Sequence, residues 1–179
     1  MYNKISIIGG SGSGKSTLCN ILANELNLPE VHLDAINYDP NWTQVDKQKR
    51  DNIINEKVLE DKWVIDGNYS STMKERLTNA DLVIFLDYST FALLSGVLNR
   101  VLKNSGKERF EIPGCKEHFN LEFLKLVSTF RRKKRPKILK ILSEINQEKL
   151  LIFKNRKKLN KWLIDFTKNK NVLKTYIKQ

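Results

Sequence analysis

Cysteine is almost missing from this chain. Only Cys19 and Cys115 occur in 179 residues, and their separation excludes a disulfide scaffold or a four-cysteine zinc site. Proline is scarce, with four residues, and glycine is limited to eight. No Pro- or Ser-rich linker interrupts the chain, and no internal repeat is visible. Apolar runs stay short: Leu82 to Leu86 is typical, against the roughly 20 residues of a membrane span. Met1-Tyr2-Asn3-Lys4 leads straight into a strand pattern with no leader-like segment, so a cytoplasmic chain with no membrane partner is expected. Acidic residues are also few, 20 against 32 Lys and Arg, giving a net charge of +12.

That charge is unevenly placed. Residues 1–96 carry 9 basic and 13 acidic side chains, net −4; residues 97–179 carry 23 and 7, net +16. A basic second half calls for a polyanionic partner: nucleotide phosphates, nucleic acid or an anionic surface. A solvated lysine-rich surface is the plainer reading of many of these lysines. The mass of 20.9 kDa and 40% hydrophobic content suit one domain spanning 1–179.

Apolar runs alternate with helical patterns. Lys4 to Ile8, Val31 to Leu33, Trp63 to Ile65, Leu82 to Leu86 and Leu150 to Phe153 read as strands. Lys15 to Asn27, Asp46 to Glu60, Ser70 to Leu77, Phe91 to Lys103, Leu121 to Phe130, Pro136 to Ile145 and Lys157 to Phe166 read as helices, their apolar residues falling at 3–4 spacing. Asn104 to Phe119 breaks the pattern, holding Gly106, Pro113 and Gly114 among charges, and reads as a mobile loop or lid. Continuous apolar strands separated by helices predict an α/β fold with a five-stranded parallel sheet, helices on both faces and a helical lid.

One motif carries chemistry. Gly9-Gly10-Ser11-Gly12-Ser13-Gly14-Lys15-Ser16 matches G-x-x-x-x-G-K-[ST], with a strand before it and a helix after it. Such a loop converges backbone N–H groups on phosphate at a helix N-terminus. Lys15 is expected to reach the β- and γ-phosphates of ATP, Ser16 to ligate Mg²⁺, and Thr17 to add a hydroxyl at the α-phosphate. Mg²⁺ chemistry needs a further carboxylate beyond the end of a neighbouring strand. Asp66 and Asp34 qualify by position, whereas Asp87 reads equally well as a cap for the following helix.

Arginines follow the same logic, because phosphoryl transfer spreads negative charge that guanidinium groups stabilise. Arg76 and Arg100 are expected near a substrate phosphate. Arg109 flanks the lid, and the run Arg131-Arg132-Lys133-Lys134-Arg135 would give one or two phosphate contacts or form a nucleic-acid patch. Cys115 and His118, spaced C-x-x-H, supply too few ligands for zinc. His32 reads as a strand residue, and Tyr38 and Trp42 as packing for an acceptor ring or for the following helix.

With these residues in place, the chain resembles the adenylate-kinase-like P-loop kinases, and more narrowly the bacterial topology modulation proteins, an adenylate-kinase-related family. The resembling segments are Ile7 to Thr17, His32-Leu33-Asp34-Ala35, Trp63 to Tyr69 and Arg135-Pro136-Lys137-Ile138-Leu139. The resemblance implies a P-loop NTPase fold of the nucleotide-kinase type, an acceptor-binding segment at about 35–60 and a lid at about 100–135. Adenylate kinases follow their Asp-Gly pair with Phe-Pro-Arg; here Asn68-Tyr69 follows, and the next arginine is Arg76. AMP as acceptor is therefore not expected. The implied function is ATP·Mg²⁺-dependent phosphoryl transfer to a nucleotide or small hydroxylated acceptor. Lys15, Asp34, Asp66, Arg100 and Arg131 would be catalytic, with Asp34 orienting or deprotonating the acceptor, Asp66 holding a metal-bound water, and Arg76 aiding the acceptor. Adenine is expected near Asn155 and Arg156. The rival reading is an ATP-binding regulator that grips DNA, and modulates its topology, through the basic second half.

Overall fold

A computed structural model describes residues 2–168. Five parallel strands form the central sheet: β1 (Lys4–Gly9), β2 (Glu30–His32), β5 (Trp63–Asp66), β6 (Leu82–Leu86) and β9 (Leu150–Phe153). Their spatial order is β2-β5-β1-β6-β9, with Ile7 opposite Asp66 on one side and Ile84 on the other. Every residue of β5 and β6 is buried, as required when helices cover both faces of a parallel sheet. Because β1 lies between its later neighbours, the loop after it opens into the crevice where the connections diverge, the usual ligand position in such sheets.

The helices are α1 (Lys15–Leu26), α2 (Leu33–Asn37), α3 (Lys47–Leu59), α4 (Ser70–Asn79), α5 (Thr90–Asn104), α6 (Leu121–Lys133), α7 (Arg135–Ser143) and α8 (Arg156–Lys168). Their starts follow from local chemistry. The Asp46 carboxylate accepts from the Gln48 and Lys49 N–H groups, Ser89 Oγ from Ala92, and Asn120 Oδ1 from Phe123, satisfying donors that a helix start leaves open. Asp87 does not cap α5; Ser89 does.

Two expectations need correction. The second strand ends at His32, and Leu33 opens a short helix. Leu33 is fully buried against Gly67, so the chain turns inward there instead of continuing as a strand. The segment 104–119 is not an irregular loop either. It contains an antiparallel hairpin, β7 (Glu108–Arg109) and β8 (Ile112–Lys116), that joins α5 to α6. Ile112 and Cys115 are fully buried. The Cys115 thiol donates to the Asp39 carbonyl and accepts from the Trp42 N–H. These contacts tie the hairpin to a second one, β3 (Tyr38–Asp39) and β4 (Thr43–Gln44), on the facing segment. With only two buried apolar anchors, the region lacks the periodicity by which a strand is recognised in sequence. Among the described residues, no helix is long and apolar enough to cross a membrane.

Candidate active site

The loop between β1 and α1 forms one end of a cleft of about 1530 Å³, larger than the usual single-ligand pocket. Ser11, Gly12, Gly14, Lys15, Ser16 and Thr17 line it, while Gly9, Gly10 and Ser13 are buried beneath. The Gly10 carbonyl accepts from the Ser13 N–H at 3.2 Å and from Lys15 Nζ at 3.3 Å. Gly12 has φ +82°, left-handed backbone that side chains disfavour. Ser13 Oγ is buried and has no hydrogen-bond partner among the described residues. A buried hydroxyl left open beneath the loop is a polar group that the chain's own contacts leave unused. Burial pushes the Lys15 ammonium below its ordinary range, with Asp66 and Asp34 pulling it back and Arg100 and Arg109 adding to the push. All four therefore lie within electrostatic reach of Lys15.

Asp66, at the end of β5, is gripped at both oxygens. Ser16 Oγ donates to Oδ2 at 2.8 Å, and His32 Nδ1 lies 2.7 Å from Oδ1. A hydroxyl and a fixed carboxylate side by side at a phosphate loop fit the donor set of Mg²⁺. The His32 ring is raised above its ordinary pKa despite its burial, because the Asp66 hydrogen bond and charge favour the protonated ring. The hairpin residue Phe110 meets that ring edge-on at 5.8 Å.

The last residue of β5 and the three after it divide the work of the loop. Asp66 serves Ser16. The Gly67 carbonyl accepts from Arg76 Nη2 at 2.8 Å. The Asn68 side-chain amide pairs with the Gly9 backbone in both directions: Gly9 N–H donates to Oδ1 at 3.0 Å, and Nδ2 donates to the Gly9 carbonyl. Tyr69 donates its hydroxyl to Asp34 Oδ1 at 2.9 Å. Asp34, half-buried in the first turn of α2, thus reaches the cleft from a helix rather than a strand end.

Three of the residues singled out from sequence fall elsewhere. Arg76 is fully buried, bonded to Ser6 Oγ, Thr72 Oγ1 and the Gly67 carbonyl; it braces the loop from below and does not enter the cleft. Burial lowers its pKa to about 10. Arg76→Lys keeps the charge but cannot span three acceptors with a planar fork. It is expected to lower the unfolding free energy by about 2 kcal/mol, measured by urea denaturation. Arg131 Nη1 is bonded to Asp87 Oδ1 at 3.1 Å and the Tyr88 carbonyl at 3.0 Å. Arg135 grips the same carboxylate, so both arginines fasten α6 and α7 to the end of β6. Asn155 caps α8, its Oδ1 accepting from the Lys158 N–H. Arg156 does reach the site, donating to the Gly12 carbonyl at 2.7 Å, with its guanidinium 5.5 Å from the Tyr88 ring centre. Arg100 lines the cleft, its Nε 2.7 Å from Glu117. Of the basic run, only Lys134 borders the cleft.

One residue that the sequence pattern does not flag acts through its backbone. Nothing marks Gly96 in the pattern, yet α5 lies directly on the phosphate loop there: a Cβ at Gly96 would collide with the Gly12 carbonyl and the Arg156 guanidinium. Gly96→Ala is expected to weaken ATP-analogue binding by about 10-fold or more, since a rigid backbone contact must give way, while far-UV circular dichroism stays unchanged. Calorimetric titration checks it.

No family model matches the chain, and no curated protein sequence matches it. Solved structures do. Shikimate kinase from Acinetobacter baumannii, in complex with shikimate, is 16% identical with a TM-score of 0.58, over 95% of this chain and 95% of that one. Shikimate kinase from Bacteroides thetaiotaomicron is 18% identical with a TM-score of 0.54, over 94% and 98%. The Aquifex aeolicus enzyme is 16% identical with a TM-score of 0.50, over 91% and 92%. At such identities the likeness is one of fold, and the fold of this chain is that of the P-loop kinases.

Proposed function

We propose that the protein is a kinase that transfers the γ-phosphoryl group of ATP to a hydroxyl of a small molecule. The observation that carries this reading is one cleft holding a phosphate loop, the Ser16–Asp66 pair beside it, and Asp34 with its own hydrogen-bond partner. The Gly9–Thr17 loop would hold the phosphates of ATP, and Arg156, bonded to the Gly12 carbonyl, would stand beside the adenine. Lys15 neutralises charge building between the β- and γ-phosphates. Ser16 and Asp66 would hold Mg²⁺, which when bound would supply electrostatic stabilisation of the phosphates. Tyr69 orients Asp34, which takes the proton of the acceptor hydroxyl as the new O–P bond forms and the bond to ADP breaks. Residues 35–60 form the acceptor-binding segment and 100–135 the lid, with Arg100 contributing from its base. The finer kinship with the topology modulation proteins rests on His32-Leu33-Asp34 and Asp66-Gly67-Asn68-Tyr69.

The test is calorimetric binding of a non-hydrolysable ATP analogue with and without Mg²⁺, followed by ATP consumption across a panel of hydroxyl compounds. Binding that depends on Mg²⁺, and turnover that depends on an added hydroxyl compound, support the reading. A chain that binds no nucleotide sinks it.

A further inference from the structure

Asp66 is held at both oxygens, and the two partners do different work. Oδ2 accepts from the Ser16 hydroxyl at 2.8 Å, beside the phosphate loop. Oδ1 lies 2.7 Å from His32 Nδ1, and among the described residues no other hydrogen bond reaches it. The pairing follows from strand register. β2 and β5 run parallel with His32 opposite Asp66, so both side chains leave the sheet on one face at the carboxyl ends of their strands. Those side chains are 9% and 5% exposed, so little water reaches the pair.

The His32 ring has few other duties. Its second nitrogen, Nε2, is buried without a hydrogen-bond partner. The Glu30 carboxylate stands 3.6 Å from it, beyond hydrogen-bond distance, and accepts from Asn20 instead. A histidine that served only to tie strands together would be expected to use both nitrogens, because a buried unpaired one costs free energy. Here the one hydrogen bond goes to Asp66. Phe110, at the tip of the β7–β8 hairpin, covers the ring edge-on at 5.8 Å, so the hairpin adds a wall there and no competing polar group. Cys19 has its Sγ within 4.8 Å of the His32 and Asp66 ligand-type atoms, but the thiol is spent on the Val64 carbonyl at 3.3 Å. The Asp66 oxygens are left to His32 and Ser16.

A carboxylate held at one oxygen can swing. The terminal torsion of Asp is broad and nearly two-fold, so release of Oδ1 frees the group to turn and carries Oδ2 away from the Ser16 hydroxyl. Mg²⁺ is strict about the placing of its oxygen donors, and groups that orient such donors from behind change metal affinity by about 10- to 100-fold when removed. Resting on the kinase reading above, in which Ser16 and Asp66 form the metal pair, we infer that His32 is the positioning residue of that pair: its Nδ1–H locks Asp66 with Oδ2 turned to Ser16, and so sets the Mg²⁺ affinity of the site. His32 does not line the cleft; it acts through Asp66.

The experiment compares three substitutions that differ in where they offer an N–H. Asn can place its amide nitrogen where Nδ1 stands, Gln reaches past it towards the position of Nε2, and Leu offers none. Affinity of the full chain for a non-hydrolysable ATP analogue is titrated calorimetrically across Mg²⁺ concentrations, with a metal-free series beside it. His32→Leu and His32→Gln are expected to need at least about 10-fold more Mg²⁺ for the same gain in affinity, while metal-free affinity stays at the parent value. His32→Asn is expected to restore most of the Mg²⁺ response. A parent-like response in folded His32→Leu overturns the inference. So does an equal shift in His32→Leu and His32→Asn, which would reduce the residue to shape and packing.

If the variants do not fold, the unaltered protein decides by nuclear magnetic resonance of its imidazole nitrogens, which belong to only two histidines, His32 and His118. The His32 Nδ1 signal is expected to move when Mg²⁺ is added to the nucleotide complex, and a signal that stays in place overturns the inference. A parent whose nucleotide binding ignores Mg²⁺ removes the metal pair of the kinase reading, and this inference falls with it. A Mg²⁺-dependent parent beside an equally Mg²⁺-dependent His32→Leu removes His32 alone, so the two failures are distinct.

Discussion

Asp34→Asn is expected to slow phosphoryl transfer to a hydroxyl by about 10²–10⁴-fold, the usual contribution of a placed base. Affinity for the Mg²⁺·ATP analogue should stay nearly unchanged. The substitution is narrow. Asn retains an Oδ1 that can accept the Tyr69 hydroxyl, now 2.9 Å from Asp34, so the side chain keeps its place and loses only its charge and its basicity. An acceptor that is already anionic needs no base, and with such an acceptor the variant would be close to normal. Single-turnover rates with a hydroxyl acceptor make the measurement, and a full rate there would show that Asp34 does not act on the attacking oxygen. Asp66→Asn serves as the contrast, because it alters the partner of Ser16 and should disturb the Mg²⁺ dependence of nucleotide binding as well as the rate.

Lys15→Ala is expected to cut ATP turnover by about 10²–10³-fold, the scale for removing one group aimed at developing charge. The same variant should be at least as stable as the parent at neutral pH. Lys15 is held below its ordinary pKa by burial, so the ammonium is less favourable in the folded chain than in the unfolded one. A group shifted this way opposes folding while charged and stops doing so as pH rises through its folded value towards 10.5. The stability advantage of the variant should therefore shrink on going from neutral pH towards that range. Urea midpoints at several pH values, paired with ATP turnover, test both halves. Turnover that survives the substitution would remove this loop from the chemistry, and an advantage that grows with pH would contradict the burial of the amine.

The contrast between Arg76 and Arg100 shows how far sequence reasoning extends. Both are arginines on the helix that follows a sheet strand, and both are expected at a phosphate. Arg100 lines the cleft. Arg76 points under the sheet to Ser6 and Gly67. Residue type and spacing alone do not separate the two, because which face of its helix an arginine occupies depends on how α4 and α5 seat against different strands. Arg131 makes the same point. A basic run next to a lid looks like phosphate-binding charge, yet the carboxylate of Asp87, 44 residues earlier, takes it up. His32 was passed over because one histidine in a strand pattern carries no signal. Its importance comes from Asp66, reached through the register that sets β2 beside β5 with His32 opposite Asp66.

By itself the sequence determined the parallel α/β architecture and the phosphate loop between its first strand and first helix. These are consequences of short-range patterns: continuous apolar runs that must be buried on both faces, and a glycine-rich turn between a strand and a helix. Tertiary structure alone decided the rest. It made 104–119 a hairpin instead of a loop, turned the chain into a helix at Leu33, joined Asn68 to Gly9 and Tyr69 to Asp34, and neutralised the lid arginines with Glu111 and Glu117. Asn68 with Gly9 and Tyr69 with Asp34 are contacts between segments far apart in the chain, and the Cys115 contacts with Asp39 and Trp42 that seat the hairpin are too; all are fixed by close packing and by the cost of leaving a buried donor unpaired. A local pattern carries no record of which distant partner meets that demand.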